Sequence, residues 1–305
     1  MKTPIRSILT AGAAMLFGLL AAPVRADILY VSSLASHTIK TLPPGGGVGS
    51  VFASGVSPLG LAFDSVGNLY VANGSTIEKF TPGGVRSIFA SGLNNLTGLA
   101  FDTLGNLYVA SSIGTVDTIM KFTPSGVRSV FTYNVYRPRS LAFDGAGNLY
   151  VANLNSILIF DPRGVERPFV GSGLIVPTGL AFGIDGNLYV VDAATAAILK
   201  FNNSGVGSVF ASTGSVVDYY PSGLAFDSAD NLYVANFGEG SIREFTPSGV
   251  SLPFGTSGLV QPTSLAFTND AGVPIYPHLP QFPEPSTWAM LALGLPALLA
   301  SRRRK

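Results

Sequence analysis

An all-β ring of six four-stranded blades, a β-propeller closed by its own two ends, is predicted by three observations. First, "GLAFDSVGNLYVAN" at Gly60 to Asn73 returns as "GLAFDTLGNLYVAS" from Gly98, "SLAFDGAGNLYVAN" from Ser140, "GLAFGIDGNLYVVD" from Gly179 and "GLAFDSADNLYVAN" from Gly223. Second, each unit holds four runs of β length, as in "GLAF", "NLYVA", "TIEKF" and "VRSIFA". Third, the chain opens on the second run of a unit, "ILYVSS" at Ile28, and closes on a first run, "SLAF" at Ser264.

Each element follows from local chemistry. The recurring Asn at 68, 106, 148, 187 and 231 sets a period of about 40 residues, the ~40–50 of a four-stranded propeller blade. Between the first and second runs, "DSVGN" suits a tight turn: Asp bonds nearby amides and Gly accepts positive φ. Pro82, Pro124, Pro162 and Pro247 mark the next turn. The first two runs carry almost no charge, whereas the last two hold Glu78, Lys79, Arg86, Lys121, Arg128, Arg243 and Glu244. The Gly- and Ala-bearing first run is therefore assigned to the crowded axis, and the charged runs to solvent. Pairing the terminal runs in one blade removes two open sheet edges that a solenoid would leave exposed.

The two ends have a different character. Lys2 and Arg6 precede an apolar stretch from Ile8 to Ala22 and the small-residue site "VRA", so residues 1–26 are expected to be a signal peptide and the exported body to begin near Asp27. Seven of the 18 cations lie in the ends (Lys2, Arg6, Arg25, Arg302, Arg303, Arg304 and Lys305), which leaves a mildly acidic body without a basic cluster. Such a body is unsuited to nucleic acid, whose binding neutralises many phosphates. With no cysteine, the chain has no disulfide, no thiol nucleophile and no cysteine-ligated metal. The propeller is expected over 27–267, and a Pro-rich, stiff spacer over 268–282. Residues 283–305 form a closing unit in which an apolar run ends in four cations.

The repeated "FDxxGNLYVAN" followed by "I..F.p.G" resembles the NHL repeat and the gluconolactonase and regucalcin-like propellers, from about Asp27 to Phe267. That resemblance implies a six-bladed ring, and it is neutral on activity because the fold hosts lactonases, lyases, binding modules and scaffolds. The closing unit resembles the PEP-CTERM sorting signal: Pro283, Glu284 and Pro285, then a short apolar helix from Trp288 to Ala300, then Arg302 to Lys305. At about 20 Å that helix falls short of a ~30 Å hydrocarbon core. The resemblance implies recognition by an exosortase in the inner membrane of a Gram-negative bacterium, cleavage near the tripeptide, and a cell-surface or extracellular destination alongside exopolysaccharide. Retention of the helix as an anchor is the alternative.

The end of each second run shares a face with the loop entering each blade. Ser33, Asn73, Ser111, Asn153, Asp192 and Asn236 recur there as a polar ring expected near the channel mouth. The gluconolactonase resemblance would give Asn153, Asp192 and Asn236 the role of divalent-cation ligands. Alternatively, each side chain bonds the adjacent turn, and a single carboxylate holds a divalent ion weakly. His37 and His278 are the only histidines, which argues against a His-ligated zinc or a Ser-His-Asp triad. Asp64, Asp102, Asp144 and Asp227 belong to the opposite turns and are read as structural.

Two loops leave the short pattern: "TYNVYRPRS", with Tyr133, Tyr136, Arg137 and Arg139, and "STGSVVDYYPSG", with Asp218, Tyr219 and Tyr220. Tyrosine suits stacking on sugars or capture of a peptide, and it equally suits packing over a blade seam. The sequence therefore leads to an exported, non-catalytic propeller that binds glycan or protein. A metal-dependent lactonase-like hydrolase and a structural matrix scaffold stand as the alternatives, and no cofactor is required beyond that possible cation. The expected partners are signal peptidase, an exosortase, and a polysaccharide or surface protein.

Overall fold

The computed structural model describes residues 27–112, 116–167, 169, 173–214, 223–269 and 272–275. Residues 1–26, expected to be a signal peptide, the part of the expected spacer beyond Ile275, and the expected sorting unit at Pro283, Glu284 and Pro285 lie outside them. Among the described residues there are six four-stranded antiparallel sheets and no helix long and apolar enough to cross a membrane. Blade 2 shows the common plan: inner strand Pro58–Phe63, second strand Leu69–Asn73, third strand Thr76–Phe80 and outer strand Arg86–Ala90. Blades 3 to 6 repeat it from Leu96, Leu141, Pro177 and Leu224. Blade 1 takes its inner strand, Pro262–Thr268, from the far end of the chain and pairs it antiparallel to Ile28–Ser33.

Burial grades outward, but only the outer strand meets water as the charge pattern led one to expect; the third strand is largely buried and takes Glu78 and Glu244 inside with it, because it packs between neighbouring blades. The second strand "LYVA" is buried on both faces because each blade is sandwiched between two others, so it reads as a continuous apolar run rather than an alternating one. The outer strand of blade 2 is exposed over Arg86, Ser87 and Ile88. Each second-strand Tyr is the hub between blades. Tyr70 meets Phe89 of its own outer strand edge-on at 5.1 Å and Phe101 of the next inner strand at 4.9 Å. Tyr233 makes the same pair of contacts across the closure, with Phe254 at 5.2 Å and Phe267 at 4.9 Å. Such edge-to-face pairs contribute about 0.5–1.5 kcal/mol each beyond their buried area.

At the axis, backbone packs against backbone. A Cβ on Gly60 would sit 2.4 Å from the Thr97 carbonyl oxygen, and one on Gly98 would sit 2.8 Å from that of Arg139. Where the repeat has Ser instead, the hydroxyl becomes part of the contact: Ser140 Oγ accepts the Leu180 amide at 3.2 Å, and Ser264 Oγ the Leu61 amide at 3.1 Å. The closure has a second clasp that the sequence did not announce. Gly255–Ser257 runs parallel to Gly46–Val48, so close that only glycine fits at 46, where φ is +81°.

Candidate functional site

The two ends of the channel are built by different parts of the repeat. At the turn end, between the first and second strands, one device recurs. Asp102 Oδ1 accepts the amides of Leu104 at 3.0 Å and Asn106 at 2.8 Å, and its Oδ2 accepts Asn106 Nδ2 at 2.7 Å. Asp64, Asp144 and Asp227 do the same, as the structural reading of these residues expected. In blades 2, 3 and 5 a lysine on the third strand neutralises the turn carboxylate, closest in Lys200 to Asp185 at 2.7 Å. Asp185 and Tyr189 together push the Lys200 ammonium up to about 12. Blade 6 inverts that unit, because Glu244 stands opposite Tyr233 where the lysine stands opposite Tyr108 in blade 3. Burial, then the Asp227 charge, raises the Glu244 carboxyl above the usual range.

At the loop end, Ser33, Asn73, Ser111, Asn153, Asp192 and Asn236 lie one strand out from the axis rather than on the channel wall. Their polar atoms are turned to the protein. Asn73 Oδ1 accepts the Ser57 amide at 2.7 Å while its Nδ2 donates to Glu78 at 2.6 Å. Asn153 Oδ1 accepts from Tyr136 at 2.6 Å, and Ser111 Oγ donates to the Asn94 carbonyl at 2.5 Å. Ser33 Oγ bonds both the amide and the carbonyl of Val260 at 2.9 Å. Asp192, fully buried, takes the Ile175 amide at 2.6 Å on one oxygen and those of Val176 and Ala194 on the other. Asn236 Nδ2 donates to Glu239 at 3.0 Å. Five of the six thus moor the loop that enters their own blade.

Most of this donor set is engaged with the protein's own loops. Asn153 and Asp192 spend their oxygens on amides, Asn236 Nδ2 is bonded to Glu239, and no three His, Asp or Glu side chains converge to hold a metal among the described residues. The channel mouth itself is formed by the inner strands, one strand further toward the axis. A polar cavity of about 80 Å³ there is lined by Leu59, Thr97, Arg139, Thr178 and Thr263, with the inner-strand Gly and Ser residues below. Burial, then the neighbouring Arg137 charge, lowers the Arg139 guanidinium from its ordinary value without discharging it near neutral pH.

The loop Tyr133 to Arg139 reaches this mouth and is fixed along its length. Asn153 holds the Tyr136 amide, and Asp117 Oδ2 accepts the Arg137 amide at 2.6 Å. The Arg139 amide bonds the Ala152 carbonyl at 2.9 Å. Arg137 sits at φ +49°, with its guanidinium carbon 5.7 Å from the Tyr136 ring centroid. Tyr133 and Tyr136 nonetheless remain 64% and 49% exposed. Asp117, buried in the loop that follows the second strand of blade 3, was not anticipated: that loop occurs once, so no repeat marks it. Asp218, Tyr219 and Tyr220 lie outside the described residues.

A family model described as SMP-30/Gluconolactonase/LRE-like region matches residues 151–273. No curated protein matches the chain. Among solved structures, a nidogen/laminin complex is similar at 20% identity and TM-score 0.68, covering 79% of this chain and 98% of that one. A streptogramin B lyase is similar at 16% identity and TM-score 0.61, covering 80% and 85%. A virginiamycin B lyase from Staphylococcus aureus follows at 15% identity and TM-score 0.56, covering 79% and 82%. At these identities the likeness establishes the six-bladed ring, and the family match adds a gluconolactonase-like region within it.

Proposed function

We propose that this protein is an exported, non-catalytic propeller that binds a glycan or a protein segment on its loop end, at the cell surface or in an exopolysaccharide matrix. The observation that carries the reading is the Tyr133–Arg139 loop: its backbone is pinned by Asn153, Asp117 and Ala152 while two tyrosine rings face solvent beside two arginines. Pinning the backbone before binding reduces the ordering cost that an exposed loop otherwise incurs. Flat rings with a hydroxyl edge suit sugar faces and peptide bonds alike. Export rests on the signal-like 1–26, and surface sorting by an exosortase on the unit beginning Pro283, Glu284 and Pro285.

A metal-dependent lactonase-like hydrolase is the second reading, favoured by the family match over residues 151–273. It has to find its donors elsewhere than in the committed oxygens of Asn153 and Asp192. A glycan array together with turnover of simple lactones, with and without added divalent ions, separates the two. Saturable glycan or peptide binding without turnover is expected. Metal-dependent lactone hydrolysis would transfer the assignment to the enzyme, and neither result would leave a scaffold.

A further inference from the structure

The channel is divided across its middle. Leu61, Leu99, Leu141, Leu180, Leu224 and Leu265, one from each inner strand, line both the apolar funnel of about 180 Å³ at the turn end and the polar cavity of about 80 Å³ at the loop end. Each is only 5–7% exposed, so together they give the loop-end cavity an apolar floor. A cavity needs about 10–15 Å³ to hold one water, so this cup has room for a carboxylate group.

Its wall is equivalent from blade to blade, with one departure. Two residues before the floor leucines stand Leu59, Thr97, Thr178 and Thr263, and in blade 4 Arg139. Among the described residues that line the cup, Arg139 alone is charged; Asp117, which takes the Arg137 amide, is not one of them. Over an apolar floor an ion pair is screened less than in water. Burial and the Arg137 charge both work against the Arg139 cation, and an anion in the cup offsets both. Arginine carries five N–H donors, so a contact within the chain leaves others to grip a carboxylate through two parallel bonds.

A second requirement comes from the neighbouring blade. The half-buried Thr97 donates its Oγ1 proton to the Pro138 carbonyl at 2.8 Å, so toward the cup this oxygen can only accept. A ligand that suits both residues carries a carboxylate for Arg139 and a hydroxyl donor for Thr97. A sugar acid has both on one ring, whereas the carboxylate of an Asp or Glu side chain has no hydroxyl beside it. Tyr136, exposed on the same pinned loop, offers a flat face to that ring.

We propose that the loop-end cup seats the carboxylate of a uronic acid residue, held by Arg139, with a ring hydroxyl donating to Thr97 Oγ1. The inference rests on the loop-end binding reading and narrows its ligand to an acidic glycan.

The experiment titrates the full chain with methyl glucuronide, methyl glucoside and N-acetylglutamate amide, followed by NMR. The glucuronide is expected to bind at least about tenfold more tightly than the glucoside, roughly 1.4 kcal/mol. It should shift the amides of Thr97 and Arg139 and leave those of the Asp64 turn in place. Arg139→Gln is expected to remove the difference between the two sugars, and Arg139→Lys to keep part of it, because a lysine retains the charge without the planar fork. Equal binding of the two sugars by wild type, or an undiminished preference in a folded Arg139→Gln variant, overturns the inference while leaving glycan binding at the loop end in place. Tighter binding of the glutamate amide than of the glucuronide overturns it in favour of an acidic peptide. Binding of none of the three overturns it as well, and shifts confined to the turn end would overturn the loop-end reading with it.

Discussion

The two ends of the channel are made from the same repeat and have diverged in opposite ways. At the turn end the sequence hardly varies: the Asp64, Asp102, Asp144 and Asp227 turns reuse one set of hydrogen bonds around an apolar funnel. At the loop end each of five polar residues, three of them buried and Asn73 and Asn153 half-buried, moors a loop of different sequence, and the mouth is polar, with Arg139 on its wall. Repetition marks what every blade needs in order to fold, and departure from it marks where a single copy of a residue can acquire a task. Residues of the turn end should therefore carry stability, and residues of the loop end recognition.

Removing what both ends share has the largest expected effect. Deleting Ser264 to Phe267 takes away most of the strand that pairs with Ile28–Ser33, together with the Ser264 amide's bond to Ser32. With two sheet edges exposed, aggregation or loss of cooperative unfolding is expected by calorimetry and size-exclusion chromatography. Unchanged unfolding would show that the clasp between Gly255–Ser257 and Gly46–Val48 closes the ring alone.

Asp102→Ala sharpens the comparison from the turn end. It strands two amides and the Asn106 side chain, at a cost of about 1–3 kcal/mol. Denaturant unfolding reads this directly, and loop-end binding should survive it.

Blade 6 gives a pH test. Glu244 has a raised carboxyl in the fold, so its protonation favours folding: that contribution is complete below its unfolded value and is lost as pH rises through the folded one. Melting temperature should therefore fall less steeply over that interval in Glu244→Gln than in wild type. Identical pH profiles would remove the carboxylate conflict with Asp227 from the account. The smallest effect belongs to the loop end: Tyr136→Ala and Arg137→Ala should each change stability by only about 0.5 kcal/mol.

The blade plan, the closure and the turn aspartates were legible because each is written several times or is forced by an open edge. The inner glycines were legible as crowding, and the structure supplies the reason in the 2.4 Å approach at Gly60. The ring from Ser33 to Asn236 was legible as a pattern but not as a position. A second-strand residue and an inner-strand residue share one face of the molecule, and only the packing of blades shows which lines the axis. Asp117 and the parallel clasp were hidden for another reason. Both depend on long-range pairing of segments that occur once, where neither period nor composition carries a signal.

The most direct measurement of the central claim is a titration of the best glycan or peptide ligand from an array. It compares wild type, the Asp64→Ala turn variant, and a loop variant carrying Tyr136→Ala, Arg137→Ala, Tyr219→Ala and Tyr220→Ala. The account predicts that the loop variant loses at least about 100-fold in affinity, roughly 2.7 kcal/mol, with an unfolding transition close to that of wild type. The turn variant should bind as wild type does while unfolding earlier. Full affinity in the loop variant, or lost affinity in a folded turn variant, would contradict it.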